Sequence, residues 1–336
     1  MTTTAPGIRR RSLLSAGLGT GIAGLLVACG SVSASTSADS RSARAVEAPD
    51  PDLPVRARAL AATRALAAQY DAVIAEFPAA GELRPLREQL AAQETAFGGA
   101  TASASAAGSA SASASPSATA SSPAPSSVPP TSRSAAVTAL DAAERATAQA
   151  RLKDLAAASP ALARQLASAA ADGAQHSMVL RGSVPAGPAA APLTRTPLPT
   201  APLAALQAAL AAEDAAVYAY GVIGAQLSGD RRARATASYQ AHRDRRGALQ
   251  QRISATGATP EAAAPAYQLP SPVTDAASAV RLAASVEDRI CAVYANAVQA
   301  TSGPLRGTMA AALRQAALDT LAWRGSGSAF PGLTHG

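Results

Sequence analysis

Along residues 53–77 the large apolar side chains Leu66, Tyr70, Val73, Ile74 and Phe77 recur at three- and four-residue intervals, which is the stripe of an amphipathic helix. Gly81 breaks that pattern, and Leu83, Leu86, Leu90 and Phe97 then mark a second helix in which Pro85 falls in the first turn. Two such helices in sequence predict an antiparallel pair. Residues 98–132 carry Ser, Ala, Thr and Pro with no large apolar periodicity, so they predict a disordered connection. Helical spacing resumes with Val137, Leu140, Leu152 and Leu155. Ser159-Pro160 supplies an N-cap and a first-turn proline for a fourth helix bearing Leu162, Leu166 and Leu180.

A second set of four helices is predicted beyond the prolines of 182–202, which make a stiff linker that cannot continue a helix. Its helices are marked by Leu203 to Leu227, by Tyr239, Leu249 and Ile253, by Val280 to Val298, and by Pro304 to Trp323. Residues 257–273 separate the second and third of these. A helix of about 25 residues is ~38 Å long, and roughly 17 extended residues at ~3.3 Å each span that length. The connection therefore crosses the bundle, as in ferritin-like topologies. The expected fold is all-α: two tandem four-helix bundles, 53–181 and 203–333, joined by the Pro-rich linker. Both follow one plan, which points to a tandem duplication.

Composition agrees with helix. Apolar residues make up 48% of the chain but aromatics only 3%, because alanine, the best helix former, supplies much of the count. A length of 336 residues suits two cores of ordinary size. The net charge is +7, and Arg9, Arg10 and Arg11 supply three of those charges in the N-terminal leader. The one dense basic run, Arg243, Asp244, Arg245, Arg246, lies on a predicted helix and reads as a solvated face, so a nucleic-acid partner is not expected. The only cysteines are Cys29 and Cys291. Cys291 falls among apolar helix positions, where a free thiol behaves as a small buried hydrophobe.

The N-terminus carries the most specific signals. Arg10 and Arg11 stand just before Leu13-Leu14, the arrangement of a twin-arginine export leader. The apolar stretch from Leu13 to Ala28 is loosened by four glycines and is shorter than the ~20 residues of a spanning helix. Leu26-Val27-Ala28-Cys29 matches a lipobox. Residues 1–28 are therefore expected to be a signal peptide, with Cys29 lipidated and residues 29–52 a flexible tether. Two or more acyl chains give a stable anchor, which places the protein at the extracytoplasmic face of the cell membrane.

The run Glu213-Asp214-Ala-Ala-Val-Tyr218-Ala-Tyr220-Gly221, then Tyr239-Gln-Ala-His242-Arg243, Gly257-Ala-Thr-Pro260 and Ala266-Tyr-Gln-Leu-Pro270, resembles the ferritin-like domain family of unknown function found in actinobacterial lipoproteins. The likeness covers about 203–332, including Phe330-Pro331-Gly332. It implies a four-helix fold and no established activity. The chain departs from it at Asp214, where related chains would place a histidine, which weakens a metal site on that helix.

Di-iron bundles need a carboxylate on each of two helices and a Glu-x-x-His pair on each of the others. Glu213, His242 and Glu287 fall on core-facing positions near mid-helix, but position 239 is Tyr and the fourth helix offers only Asp319. In the first half His176, Glu94 and Glu144 approach apolar faces, and the residue three before His176 is Gly173. Glu213, His242, Glu287 and Tyr239 hydrogen-bonded to one another form the favoured reading, since unpaired buried charge is costly. A bound Zn²⁺, Mn or mononuclear Fe is the other. No cofactor is expected and no catalytic residue stands out. The expected role is non-catalytic, through an envelope protein partner or as structure, with a degenerate metal or redox site as the alternative.

Overall fold

The computed structural model describes residues 50–105 and 132–333, with no side-chain detail for 99–105. Arg10, Arg11 and Cys29 of the leader and lipobox, and residues 106–131 of the low-complexity run, lie outside the described residues. Within them the chain is all-α, with eight helices. The first half holds α1 (Leu53–Glu76), α2 (Leu83–Ser105), α3 (Arg133–Asp154) and α4 (Pro160–Arg181). The second holds α5 (Thr200–Ala225), α6 (Gly229–Ala255), α7 (Ala276–Ala300) and α8 (Gly303–Arg324).

The ends of these helices follow from side chains that satisfy otherwise orphaned backbone groups. The Ser159 hydroxyl accepts from the Leu162 N–H at 3.3 Å ahead of Pro160, while Asp52 accepts from the Ser159 N–H at 2.8 Å. Asp275 accepts from the Ser278 N–H at 2.7 Å in a reciprocal capping box. Gly182 ends α4 in the left-handed conformation at φ 70°, which a side chain would disfavour.

Two boundaries differ from the sequence expectation. Helix α2 runs on to Ser105, into the stretch predicted to be irregular. Its Gly-Gly-Ala-Thr-Ala-Ser-Ala-Ser residues lack a large apolar stripe, yet they extend an existing helix, and adding residues to a formed helix avoids the cost of nucleation. Helix α5 begins at Thr200, so Pro202 lies in its first turn, where a missing N–H costs nothing. The rest of the proline-rich segment is held by hydrogen bonds. Arg314 donates to the Pro185 carbonyl at 2.7 Å, Arg252 to Ala191 and Pro192 at 2.7 and 3.2 Å, and the Ala191 N–H donates to Thr308 at 2.9 Å.

The halves share a topology. Contacts of Arg58 with Asp154, Arg151 with Thr63 and Tyr70 with Glu144 set α1 antiparallel to α3. Contacts of Tyr294 with Glu213 and Tyr220 with Glu287 do the same for α5 and α7. In the second half Gln207, near the start of α5, bonds the Thr259 carbonyl at 2.8 Å, while Leu269 and Val273 pack against the cluster that holds the last turns of α5, Ala219 to Ile223, and Leu227. The connection from α6 to α7 therefore crosses the length of the bundle. In the first half Arg133 at the start of α3 meets Glu82 beside the start of α2.

Apolar clusters lie within each half: Leu66, Tyr70, Leu83 and Leu140 in one, and Tyr220, Ile223, Leu282 and Trp323 in the other. A larger cluster runs through both, from Leu60 and Leu166 to Leu210, Tyr294 and Leu313. It forms where α4 packs on α7 and α8. The two halves are thus joined by a core of their own. The tail after α8 extends the join: Phe330 meets Phe97 edge to face at 6.1 Å, and Ser168 and Gln93 donate to the Pro331 and Ala329 carbonyls at 2.8 and 3.0 Å. No described helix is long and apolar enough to cross a membrane.

Candidate functional site

Helices α5, α6 and α7 carry Glu213, His242 and Glu287 to one point in the second-half core, where all three are fully buried. His242 Nδ1 lies 2.7 Å from Glu213 Oε2, and its Nε2 lies 3.1 Å from Glu287 Oε1. Tyr220 donates to Glu287 at 2.5 Å and Tyr294 donates to Glu213 at 2.6 Å. Arg245, one turn from His242, places Nε 3.2 Å from Glu213 Oε1 and Nη1 3.6 Å from Asp319 Oδ2. The expected trio does converge, as part of a larger network.

Burial alone would lower the His242 pKa, but its hydrogen bonds to Glu213 and Glu287 outweigh it and raise the imidazole to about 9. The neighbouring Arg245 charge opposes that rise. Burial, then the Glu287 charge, pushes Asp319 up to about 6. Each imidazole nitrogen faces one glutamate, and Arg245 Nη2 stands 2.9 Å from Nδ1. The Cys291 thiol, buried 3.6 Å from the Thr320 hydroxyl, is pushed up to about 12 by its burial. It behaves as the small hydrophobe expected of it.

A second polar centre lies in the first half. Tyr70 donates to Glu144 Oε1 at 2.8 Å, and His176 Nδ1 reaches the same oxygen at 2.6 Å. His176 Nε2 faces Gln89 at 2.9 Å and Asp172 at 3.3 Å. Arg151 donates to Gln93, Thr63 and the Ala169 carbonyl at 2.7, 2.9 and 2.9 Å, and Gln93 donates to Asp172 at 2.7 Å. Burial again works against the charged imidazole, and the Asp172 and Glu144 carboxylates overcome it, so His176 rises to about 9. Asp172 is raised to about 7 by burial despite the His176 charge.

The two centres are built in register. In each half a tyrosine on the first helix bonds a glutamate on the third, Tyr70 to Glu144 and Tyr220 to Glu287. Two helical turns before the tyrosine stands Thr63 or Glu213, and two turns after the glutamate stands Arg151 or Tyr294. These residues bond each other as well. Only the cationic partners have moved, with the histidine on the fourth helix in the first half and on the second helix in the second half.

Several sequence expectations change here. Tyr239 is outside the network: half-buried, it lies beneath the Arg243 guanidinium at 5.7 Å, while Tyr220 and Tyr294, each two turns from an expected ligand on its own helix, bond the carboxylates. Arg245 leaves the solvated face, because each residue turns about 100° around a helix and neighbours in sequence point apart. Arg246 pairs with buried Asp214 at 3.6 Å. Glu94 is a half-buried surface partner of Arg87 at 3.4 Å and does not join the core. Sequence reading missed Gln89, Gln93, Arg151 and Asp172. Comparing the halves two turns either side of each tyrosine and glutamate would have reached Thr63 and Arg151.

The donor set does not fit a metal centre as arranged. Both His242 nitrogens face carboxylates, two tyrosine hydroxyls fill further carboxylate sites, and Arg245 puts a fixed positive charge among them. Among the described residues no group of three or more His, Cys, Asp and Glu side chains is disposed to hold an ion.

Residues 205–335 match the family described as Domain of unknown function (DUF4439). No curated protein matches. Among solved structures the chain is similar to a conserved hypothetical protein, rv2844, from Mycobacterium tuberculosis. That match has 33% identity over 38% of this chain and 89% of the other, with a TM-score of 0.36.

Proposed function

We propose that the protein is an envelope lipoprotein, exported through its Arg10-Arg11 leader and held at the extracytoplasmic face of the membrane by lipid on Cys29. Its helical body, ferritin-like in the second half, then serves a non-catalytic binding or structural role toward an envelope partner. The engagement of both Glu213 oxygens by neighbouring side chains supports the non-catalytic part. A general acid or base must reach a reacting proton directly or through one water, whereas Glu213 is already held by Tyr294, His242 and Arg245. Tyr70 and His176 both hold Glu144 through its Oε1. The membrane part rests on the lipobox before Cys29.

A degenerate metal site at Glu213, His242 and Glu287, with Asp319, is the second reading. It is favoured by Glu287 Oε2, which is buried without a hydrogen-bond partner. Elemental mass spectrometry on full-length protein purified without chelator separates the two. Folded protein free of Fe, Zn and Mn, and unable to take them up, supports the non-catalytic reading. About one equivalent, lost in Glu213→Ala/His242→Ala, overturns it. Feeding cells an alkyne-tagged fatty acid tests the anchor: label should appear on the wild type and vanish with the membrane fraction in Cys29→Ala. Unlabelled wild type would refute the lipoprotein assignment.

A further inference from the structure

Helix α5 presents Ala212, Ala215, Ala216 and Ala219 along one face, at the three- and four-residue intervals that keep side chains aligned. Four methyl groups in a row leave a trough. Across it, α7 presents Leu282, Val286, Ile290 and Val293, and Tyr267 to Pro270 of the crossover roof the space between, enclosing about 300 Å³. At a rise of ~1.5 Å per residue, the stretch from Leu282 to Val293 makes a groove roughly 16 Å long. Its walls are hydrocarbon, with polar atoms from Ser285, Gln268 and Arg289 at the edge.

Arg289 is exposed there. It makes no ion pair or hydrogen bond with another described residue, although its neighbour Asp288 is paired with Arg324. The guanidinium fork is built to take a carboxylate through two parallel hydrogen bonds. A narrow apolar channel of this length with one unpaired arginine at its rim is complementary to a hydrocarbon chain ending in a single carboxylate. With C–C bonds of ~1.5 Å a zigzag chain advances ~1.25 Å per bond, so 16 Å leaves room for a chain of about twelve carbons with a bond or so to spare.

We infer that the groove between α5 and α7 binds the chain of a free straight-chain fatty acid of about ten to twelve carbons, its carboxylate held by Arg289. The crossover segment acts as the roof, with the Tyr267 ring anchored against Tyr218 at 5.6 Å. This goes beyond the proposed anchoring role and does not depend on lipid at Cys29. Burial of each further CH₂ multiplies affinity by about four while the chain still lies inside the groove.

Isothermal titration calorimetry on the full chain carrying Cys29→Ser, so that it bears no lipid of its own, tests this with octanoate, decanoate and dodecanoate below their micelle concentrations. The expected result is one site per chain, with affinity rising about fifteenfold for each two carbons inside the groove and decyltrimethylammonium binding at least tenfold more weakly than decanoate. Ala215→Leu, which fills the groove from a half-exposed position, should cost at least tenfold. Ala212→Leu one turn away serves the same purpose if that variant does not fold. Arg289→Gln should weaken decanoate about fivefold and leave decanol unchanged. Absence of saturable binding, equal binding of the cationic amphiphile, or groove and Arg289 variants that bind like the parent would each overturn the inference. Binding only to phosphatidylglycerol vesicles, undisplaced by decanoate, would overturn the free-acid assignment.

Discussion

Arg151 and Arg245 each bring a guanidinium into a core that also holds carboxylates and an imidazole, and the protonation of those groups is tied to folding. His176 and His242 are both raised to about 9 in the folded chain, against about 6.5 when unfolded. A raised pKa means that the folded state holds its proton longer, so this stabilisation is complete below pH 6.5 and is lost as pH climbs through 9. Asp172, at about 7, and Asp319, at about 6, are also raised and act in the same direction at lower pH. The melting temperature should therefore fall between pH 6.5 and 9.5, and His242→Gln should flatten part of that slope. A melting temperature level or rising over the interval would show that the imidazoles are not held protonated. The sequence made Glu213, His242 and Glu287 legible because each sits three or four residues from apolar neighbours. It hid Arg245 and Arg151, because an arginine beside other charges looks solvated until the rotation of its helix is known.

Among helices and connections, three arginines act on backbone instead of carboxylates. Arg252 and Arg314 hold the proline-rich linker by its carbonyls, and Arg306 donates to Leu155 and Thr301 at 2.7 Å, tying α8 to the turn between α3 and α4. Buried carbonyls need donors, and these account for part of the positive charge without any nucleic acid. Replacing Arg252 and Arg314 together with alanine should free the linker: limited proteolysis within 182–199 should speed up about tenfold while the helical circular dichroism signal stays within ~10%. An unchanged cleavage rate would mean that proline stiffness alone holds the segment. Helix existence was readable from apolar period, and one cap from Ser159-Pro160; the Asp275 cap was not read. The course of α2 to Ser105 was not, since alanine and serine repeats carry no period to follow.

At the scale of the molecule, α4 explains why a chain that reads as two bundles is joined through a shared core. Its residues from Leu166 to Ser177 are buried on every side, and a helix buried all round has neighbours all round. Alanine, serine and glycine in that stretch gave the sequence reading no apolar stripe to assign to a second partner. The tail completes the join, and Phe330→Ala should cost about 3–5 kcal/mol, seen as a lower urea midpoint for both halves in one transition. Loss confined to the second half would show that Phe330 supports only its own helices. Phe97 must wait for Phe330 while more than 200 residues are made, roughly 10 to 45 s at ~5–20 residues per second. Until then the face of α2 and α4 that receives the tail stands open on the nascent chain. Residues 329–331 act as a closing latch, so a premature stop before them would leave the first half exposed to aggregation during biogenesis.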